Sequence, residues 1–277
     1  MHITCKGNSI DLSTPKVMGI LNITPDSFYD GGKYNSEKAI LKQTKKMLKQ
    51  GATFIDIGAY SSRPNAKHIS EEEELNRILP VIELLVQEFP NILISVDTFR
   101  SNVADKSIKA GACMINDISG GTLDNKMFKI IAKHQVPYIL MHIKGTPQNM
   151  QQNPTYKNVV EEITTFFTKK VKELKQLKVT DIVLDVGFGF GKTVTHNYEI
   201  LNRLEEFQNL NMPILVGMSR KSMLYKVLDS NATKMRNATT VVNTIALQKG
   251  AQIVRVHDVK ETIEAIKITT YISSVKD

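Results

Sequence analysis

Three aspartates, Asp56, Asp97 and Asp185, each close a short apolar run, a position where a carboxylate without donors is costly. Asn116 ends a fourth run in the same way. Acceptors and an amide brought to one cavity would suit the edge of a nitrogen heterocycle that offers several N–H donors. A second group is basic: Lys221 and Ser222 follow a later apolar run, and Arg255 and His257 end the last one. Together with Arg63, these residues suit a small anionic partner. A metal site built from Asp56, Asp97, Asp185, His142 and His257 is the competing chemistry, although His-x-His and His-E-x-x-His spacings are absent. An isolated His142 is more often structural than catalytic.

Such scattered residues converge only if the elements carrying them end on one rim. Eight apolar runs give way to polar residues in order: ILN22, FID56, ISVD97, MIN116, LMH142, VLD185, VGMSRK221 and VRVH257. Near-continuous Val/Ile/Leu runs separated by helical segments predict a parallel sheet covered by helices. Eight of them in 277 residues predict a (β/α)₈ barrel forming one domain over 1–277, its core about 17–273, with chemistry at the strand ends. Residues 2–12 predict a small hairpin around Lys6-Gly7-Asn8 that could close the opposite end. Ser70 and Glu73 predict a capping box for the helix that follows. Long loops at 22–35 and 59–69 would cover the rim.

GFGFGK (187–192) superficially resembles a phosphate loop. A Walker A motif needs Gly where Val186 stands, and the spacing also fails the dinucleotide pattern. The glycines are expected to permit close backbone packing, with Phe188 or Phe190 as an aromatic wall. Arg220 reads as surface charge.

A net charge of +8 raises the possibility of nucleic acid, but much of the surplus lies in helical segments such as LKQTKKMLKQ without interleaved aromatics. No nucleic-acid partner is expected. No 18-residue apolar stretch is present, so no membrane partner is expected either. The first residues show no apolar leader, and the expected address is the cytoplasm. Cys5 and Cys113 are far apart in sequence and suggest neither a disulfide framework nor a thiolate metal site.

Seven motifs occur in order at barrel spacing: MGILNITPDSF (18–28), SSRP (61–64), SVDTFR (95–100), INDISGG (115–121), LDVGFGFGK (184–192), GMSRKS (217–222) and RVHDV (255–259). Together they resemble the bacterial dihydropteroate synthase family along the whole chain. The resemblance implies condensation of 6-hydroxymethyl-7,8-dihydropterin pyrophosphate with p-aminobenzoate, releasing pyrophosphate. It also implies a homodimer built through barrel helices. By position, Asp97, Asn116, Asp185 and Lys221 would bind the pterin, with Asp56 supporting that pocket. Asn22 would hold Mg²⁺ on the pyrophosphate, and Arg63, Arg255 and His257 would contact its oxygens. Ser62, Pro64, Phe190, Lys221 and Ser222 would frame p-aminobenzoate. Asp97, Lys221, Arg63 and Arg255 would carry the catalytic load. The chain departs from the family pattern at Ala59, Tyr60, Ser62, Asn65 and Val186, where Gly, Glu, Thr, Gly and Pro are expected. The rivals are a pterin-dependent methyltransferase domain and a pterin-binding protein without catalysis.

Overall fold

The computed structural model describes residues 1–23, 37–61 and 68–275. Its eight parallel strands close into a barrel in chain order, the last pairing back onto the first. These are β3 (Lys16–Asn22), β4 (Phe54–Gly58), β5 (Ile94–Asp97), β6 (Met114–Asp117), β7 (Tyr138–Met141), β8 (Ile182–Asp185), β9 (Ile214–Val216) and β10 (Ile253–Val256). Helices α1 (Glu37–Lys49), α2 (Glu71–Glu88), α3 (Ser101–Lys109), α4 (Met127–His134), α5 (Val159–Gln176), α6 (Val194–Asn202), α7 (Ser222–Val227), α8 (Arg236–Gln248) and α9 (Val259–Ser274) lie between and after the strands. The (β/α)₈ expectation is met.

Side-chain alternation divides each strand between two cores. Outward residues such as Ile55, Ile57, Val96, Ile115, Leu140, Leu184 and Val254 pack against the helices. Inward residues Met18, Phe54, Met114, Ile139, Val183, Leu215 and Ile253 fill the lower barrel. Two residues further along β4, β6, β8 and β10 stand Asp56, Asn116, Asp185 and Arg255, so the same inward parity that builds the apolar floor places polar groups above it.

The N-terminal segment forms the expected antiparallel hairpin, β1 (His2–Cys5) with β2 (Asn8–Asp11). Ile3, Cys5 and Leu12 are buried in the same cluster as the lower barrel layer, so the hairpin plugs that end. The Thr4 amide donates to Asp181 Oδ2 at 3.0 Å beside β8 and anchors the plug. The capping box at α2 is only half made. Ser70 Oγ accepts from the Glu73 amide at 3.1 Å, whereas the Glu73 carboxylate pairs with Arg77 one turn on. A reciprocal box occurs instead at α6, between Thr193 and His196.

Leu12→Ala should test the plug. Truncating this buried side chain should cost about 2–5 kcal/mol in urea unfolding, because little else can fill the space beneath the barrel. A loss below about 1 kcal/mol would mean that the hairpin is not part of the core.

Candidate active site

The upper barrel is organised around one guanidinium. Arg255, inward on β10, donates from Nε to Asp56 Oδ2 at 2.6 Å and from Nη2 to Asp97 Oδ2 at 2.9 Å, joining β10 to β4 and β5. Asn116 Nδ2 donates to the same Asp56 oxygen at 3.1 Å and brings in β6. Strand register sets Asn22, Gly58, Asp97 and Asn116 at neighbouring positions along the rim. Gly58 leaves that side open: a Cβ there would stand 3.6 Å from Asn22 Oδ1 and 3.7 Å from Asp97 Oδ2.

This cluster is short of donors. Asp56 Oδ1 and Asn116 Oδ1 are buried with no hydrogen-bond partner in the structure. Buried acceptors in that condition point to a ligand bearing N–H groups. Burial pushes the Asp97 carboxyl up to about 7, against the attraction of Arg255 and with repulsion from Asp56 adding to the rise. Burial also raises Asp185, which Lys221 opposes. Arg255 is held still more firmly protonated by Asp56 and Asp97, despite its own burial.

The opposite wall comes from β8 and β9. Asp185 Oδ1 accepts from the Gly187 amide at 2.8 Å and starts the glycine-rich loop. Gly187 has φ +70°, and a Cβ there would fall 1.9 Å from the His142 carbonyl, so close packing is the reason for glycine. Phe188 is wholly buried in the outer core, whereas half-buried Phe190 packs on Ile118, Met141, Ile143 and Met150 above the barrel. Of the two phenylalanines, Phe190 is therefore the wall. Lys221 Nζ lies 4.6 Å from the Phe190 ring centroid and donates to the Phe188 carbonyl at 2.5 Å. Burial lowers Lys221 to about 8, although Asp185 favours its charged form. Ser222 begins α7 directly beyond it.

The β9 exit is braced by contacts that no sequence pattern marks. Arg220 is a two-pronged partner of Asp258, at 2.7 and 3.1 Å, and its amide donates to Thr239 Oγ1 at 3.1 Å. It holds the turn that carries Lys221 rather than being plain surface charge, and its partner stands 38 residues further along the chain, where no local pattern marks the pairing. His257 Nδ1 lies 3.0 Å from Ser219 Oγ, which also accepts the His257 amide at 3.3 Å.

A second unforeseen group stands beside β4. Tyr60 Oη lies 3.2 Å from His68 Nδ1 and accepts from Gln148 Nε2 at 3.0 Å, while its ring meets Phe99 edge-on at 5.1 Å. Arg100 donates to the Ile69 carbonyl at 2.7 Å and pairs with buried Glu74, whose other oxygen accepts from Thr98 at 2.7 Å. Within the acidic run at 71–74, Glu74 is thus a buried partner and not only a helix-end charge. The departures from the family pattern at Ala59 and Val186 are buried packing residues. Ser62, Arg63, Pro64 and Asn65 lie outside the described residues.

Among the described residues no group of three His, Cys, Asp or Glu side chains could hold a metal, which removes the five-residue alternative. His142 is buried against Lys192, with Nδ1 3.0 Å from the ammonium. Asn22 remains at the rim with its amide oxygen over Gly58. The donor chemistry there fits a hard cation such as Mg²⁺, which takes few protein oxygens and completes its shell from substrate and water.

The family model described as pterin binding enzyme matches residues 18–257. The dihydropteroate synthase of Escherichia coli K12 is 43% identical over 279 residues, covering 100% of this chain and 98% of that protein. Among solved structures, Yersinia pestis dihydropteroate synthase in complex with a sulfonamide drug superposes with a TM-score of 0.94 at 44% identity, covering 99% of this chain and 100% of that one. Xanthomonas albilineans dihydropteroate synthase with 4-aminobenzoic acid gives 0.92 at 33% identity, covering 99% of each. With its barrel closed over the same ordered motifs, the chain belongs to the pterin binding enzymes and, within them, to the dihydropteroate synthases.

Proposed function

We propose that a single domain spanning 1–277 condenses 6-hydroxymethyl-7,8-dihydropterin pyrophosphate with p-aminobenzoate at the barrel's upper rim. The observation that carries this reading is the pair of unpartnered buried acceptors, Asp56 Oδ1 and Asn116 Oδ1, beside Asp97. An aminopyrimidinone edge supplies N–H donors to such a set. Asp97, Asn116, Asp185 and Lys221 bind the pterin, with Asp56 holding Asn116 and Arg255 in place. Phe190, Lys221 and Ser222 frame p-aminobenzoate, together with Ser62 and Pro64. Arg63, Arg255 and His257 take the pyrophosphate.

The reaction is a dissociative substitution. The methylene C–O bond breaks, and its electron pair leaves with pyrophosphate. The arylamine lone pair then forms the C–N bond to the resulting cation, and the amine gives up a proton. Asp97 beside the ring stabilises the developing positive charge, and Arg63 and Arg255 stabilise the departing anion, a preorganised arrangement that needs no protein nucleophile. Asn22 would hold Mg²⁺, which supplies charge neutralisation for the pyrophosphate when bound. The methyltransferase and non-catalytic readings lack support from any specific contact, whereas the Lys221–Phe190 wall suits an aromatic carboxylate.

The chain acts as a cytoplasmic homodimer in this reading; among the described residues no helix is long and apolar enough to cross a membrane. Its apolar surface is concentrated on the late helices. Val227, Leu228, Val241 and Ile245 are exposed around a groove of about 410 Å³, and Ile268, Tyr271 and Ile272 are exposed on neighbouring α9. Such a patch is what a two-fold contact would cover.

Purified protein with both substrates and Mg²⁺ should release pyrophosphate and form dihydropteroate, and Asp97→Ala or Lys221→Ala should each lower kcat/KM by about 10²-fold or more. Wild-type turnover by both variants would refute the site assignment. Calorimetry with methyl-tetrahydrofolate should show no tight binding; tight binding there would favour the methyltransferase.

Asp97 also predicts a pH dependence with a definite sign. The folded chain holds this proton more tightly than the unfolded chain, whose carboxyl titrates near 3.8, so its contribution to stability falls as pH rises from there to about 7. Catalysis needs the anion and should rise over the upper part of that window. Asp97→Asn should flatten the decline in melting temperature and abolish the acid limb of kcat/KM; an unchanged acid limb would assign it to another group. Light scattering should give twice the chain's mass, and Ile245→Asp with Tyr271→Asp should give a monomer. A wild-type monomer would end the dimer reading.

A further inference from the structure

We propose that Lys192 is a positioning residue for the p-aminobenzoate side of the site, holding the glycine-rich loop in the shape that presents Phe190 and anchors Lys221. The inference rests on the reading in which Phe190, Lys221 and Ser222 frame p-aminobenzoate. Lys192 directly follows the loop on the chain and is only 3% exposed. Its ammonium donates to the carbonyls of Gly187 and Phe190, both at 3.0 Å, and of His142 at 3.3 Å, and it lies 3.0 Å from His142 Nδ1. No described carboxylate pairs with it as an ion pair. A buried charge whose direct partners are all dipoles is expensive, and burial accordingly lowers Lys192 to about 7 while the more distant Asp185 carboxylate favours its charge.

What the ammonium accomplishes is visible in the loop's backbone accounting. Gly187 N–H goes to Asp185, Gly189 N–H to Asn197, the Gly189 carbonyl to Gln151, and the Gly191 carbonyl to Tyr156. The Phe188 carbonyl takes Lys221 Nζ. The inward carbonyls of Gly187 and Phe190 converge instead on Lys192. Remove it, and the Phe190 carbonyl loses its side-chain donor while the buried Gly187 carbonyl keeps only the Phe190 amide at 3.0 Å, in a segment pressed against the β7 exit, where a Cβ at Gly191 would lie 2.4 Å from the Lys144 carbonyl. The loop must then rearrange, and with it the Phe190 ring and the carbonyl that fixes Lys221. His142 takes part as a neutral acceptor: burial and the facing cations Lys192 and Lys144 hold it well below its ordinary range.

The test is steady-state kinetics on Lys192→Met, Lys192→Arg and Phe190→Ala, with melting temperatures. Lys192→Met should raise the KM for p-aminobenzoate by about tenfold to a hundredfold while the KM for the pterin substrate moves by less than about threefold; Lys192→Arg should recover part of the loss. A folded Lys192→Met enzyme with an unchanged KM for p-aminobenzoate overturns the inference. So does an equal rise in both KM values with a lowered melting temperature and no recovery by Arg, since that pattern marks scaffolding alone. Should Lys192→Met fail to fold, Lys192→Gln, which keeps two N–H donors without the charge, carries the same comparison. If Phe190→Ala leaves the p-aminobenzoate KM untouched, the pocket reading fails instead.

Discussion

Alternation along a strand, imposed on eight strands closed into a ring, is the constraint from which the site follows. A residue two positions beyond an inward apolar side chain must also point inward. Phe54, Met114, Val183 and Ile253 pack the lower barrel, so Asp56, Asn116, Asp185 and Arg255 are delivered to the space above them. A shift of one residue in any strand would send its polar group into the helix layer and an outer apolar residue into the site. The lower core and the chemistry are thus specified by one pattern.

Polar groups concentrated in this way must compensate one another. Arg255 neutralises part of the charge of Asp56 and Asp97, and Asn116 adds a donor, yet acceptors still exceed donors. That imbalance resists full ionisation of Asp97 and prepares the cavity for a donor-rich ring. On the other wall the balance is opposite. Lys192 is buried and Lys221 half-buried, both are shifted toward neutrality, and both rely on carbonyls of the glycine-rich loop. The loop is therefore the electrostatic counterpart of the β4–β5–β10 carboxylate cluster.

Residues with no assigned contact to a substrate support this arrangement from behind. Arg220 ties the Lys221 turn to Asp258, and Arg100 with Glu74 and Tyr60 ties the strand-four exit to its neighbours. None was legible beforehand, because an isolated Arg or Tyr has no periodicity to distinguish a buried partner from a solvated charge. His142 was legible only as doubtful, and its partner Lys192 is fifty residues away. The half-made capping box at Ser70 shows the same limit locally: its spacing was right, but Arg77 outcompeted the backbone for Glu73.

What the sequence determined by itself was the barrel, the hairpin and the identity of the rim residues Asp56, Asp97, Asn116, Asp185, Lys221 and Arg255. Those depend on local pattern: apolar runs of strand length, helical segments between them and polar residues at each run's end. Only the tertiary structure decided who pairs with whom. That Arg255 bridges two carboxylates, that Phe190 rather than Phe188 faces Lys221, and that a buried ammonium holds the glycine loop all depend on distances across the ring between residues remote in sequence. Hydrogen bonds and buried charges act over a few ångströms, and only closure of the barrel brings these residues that near.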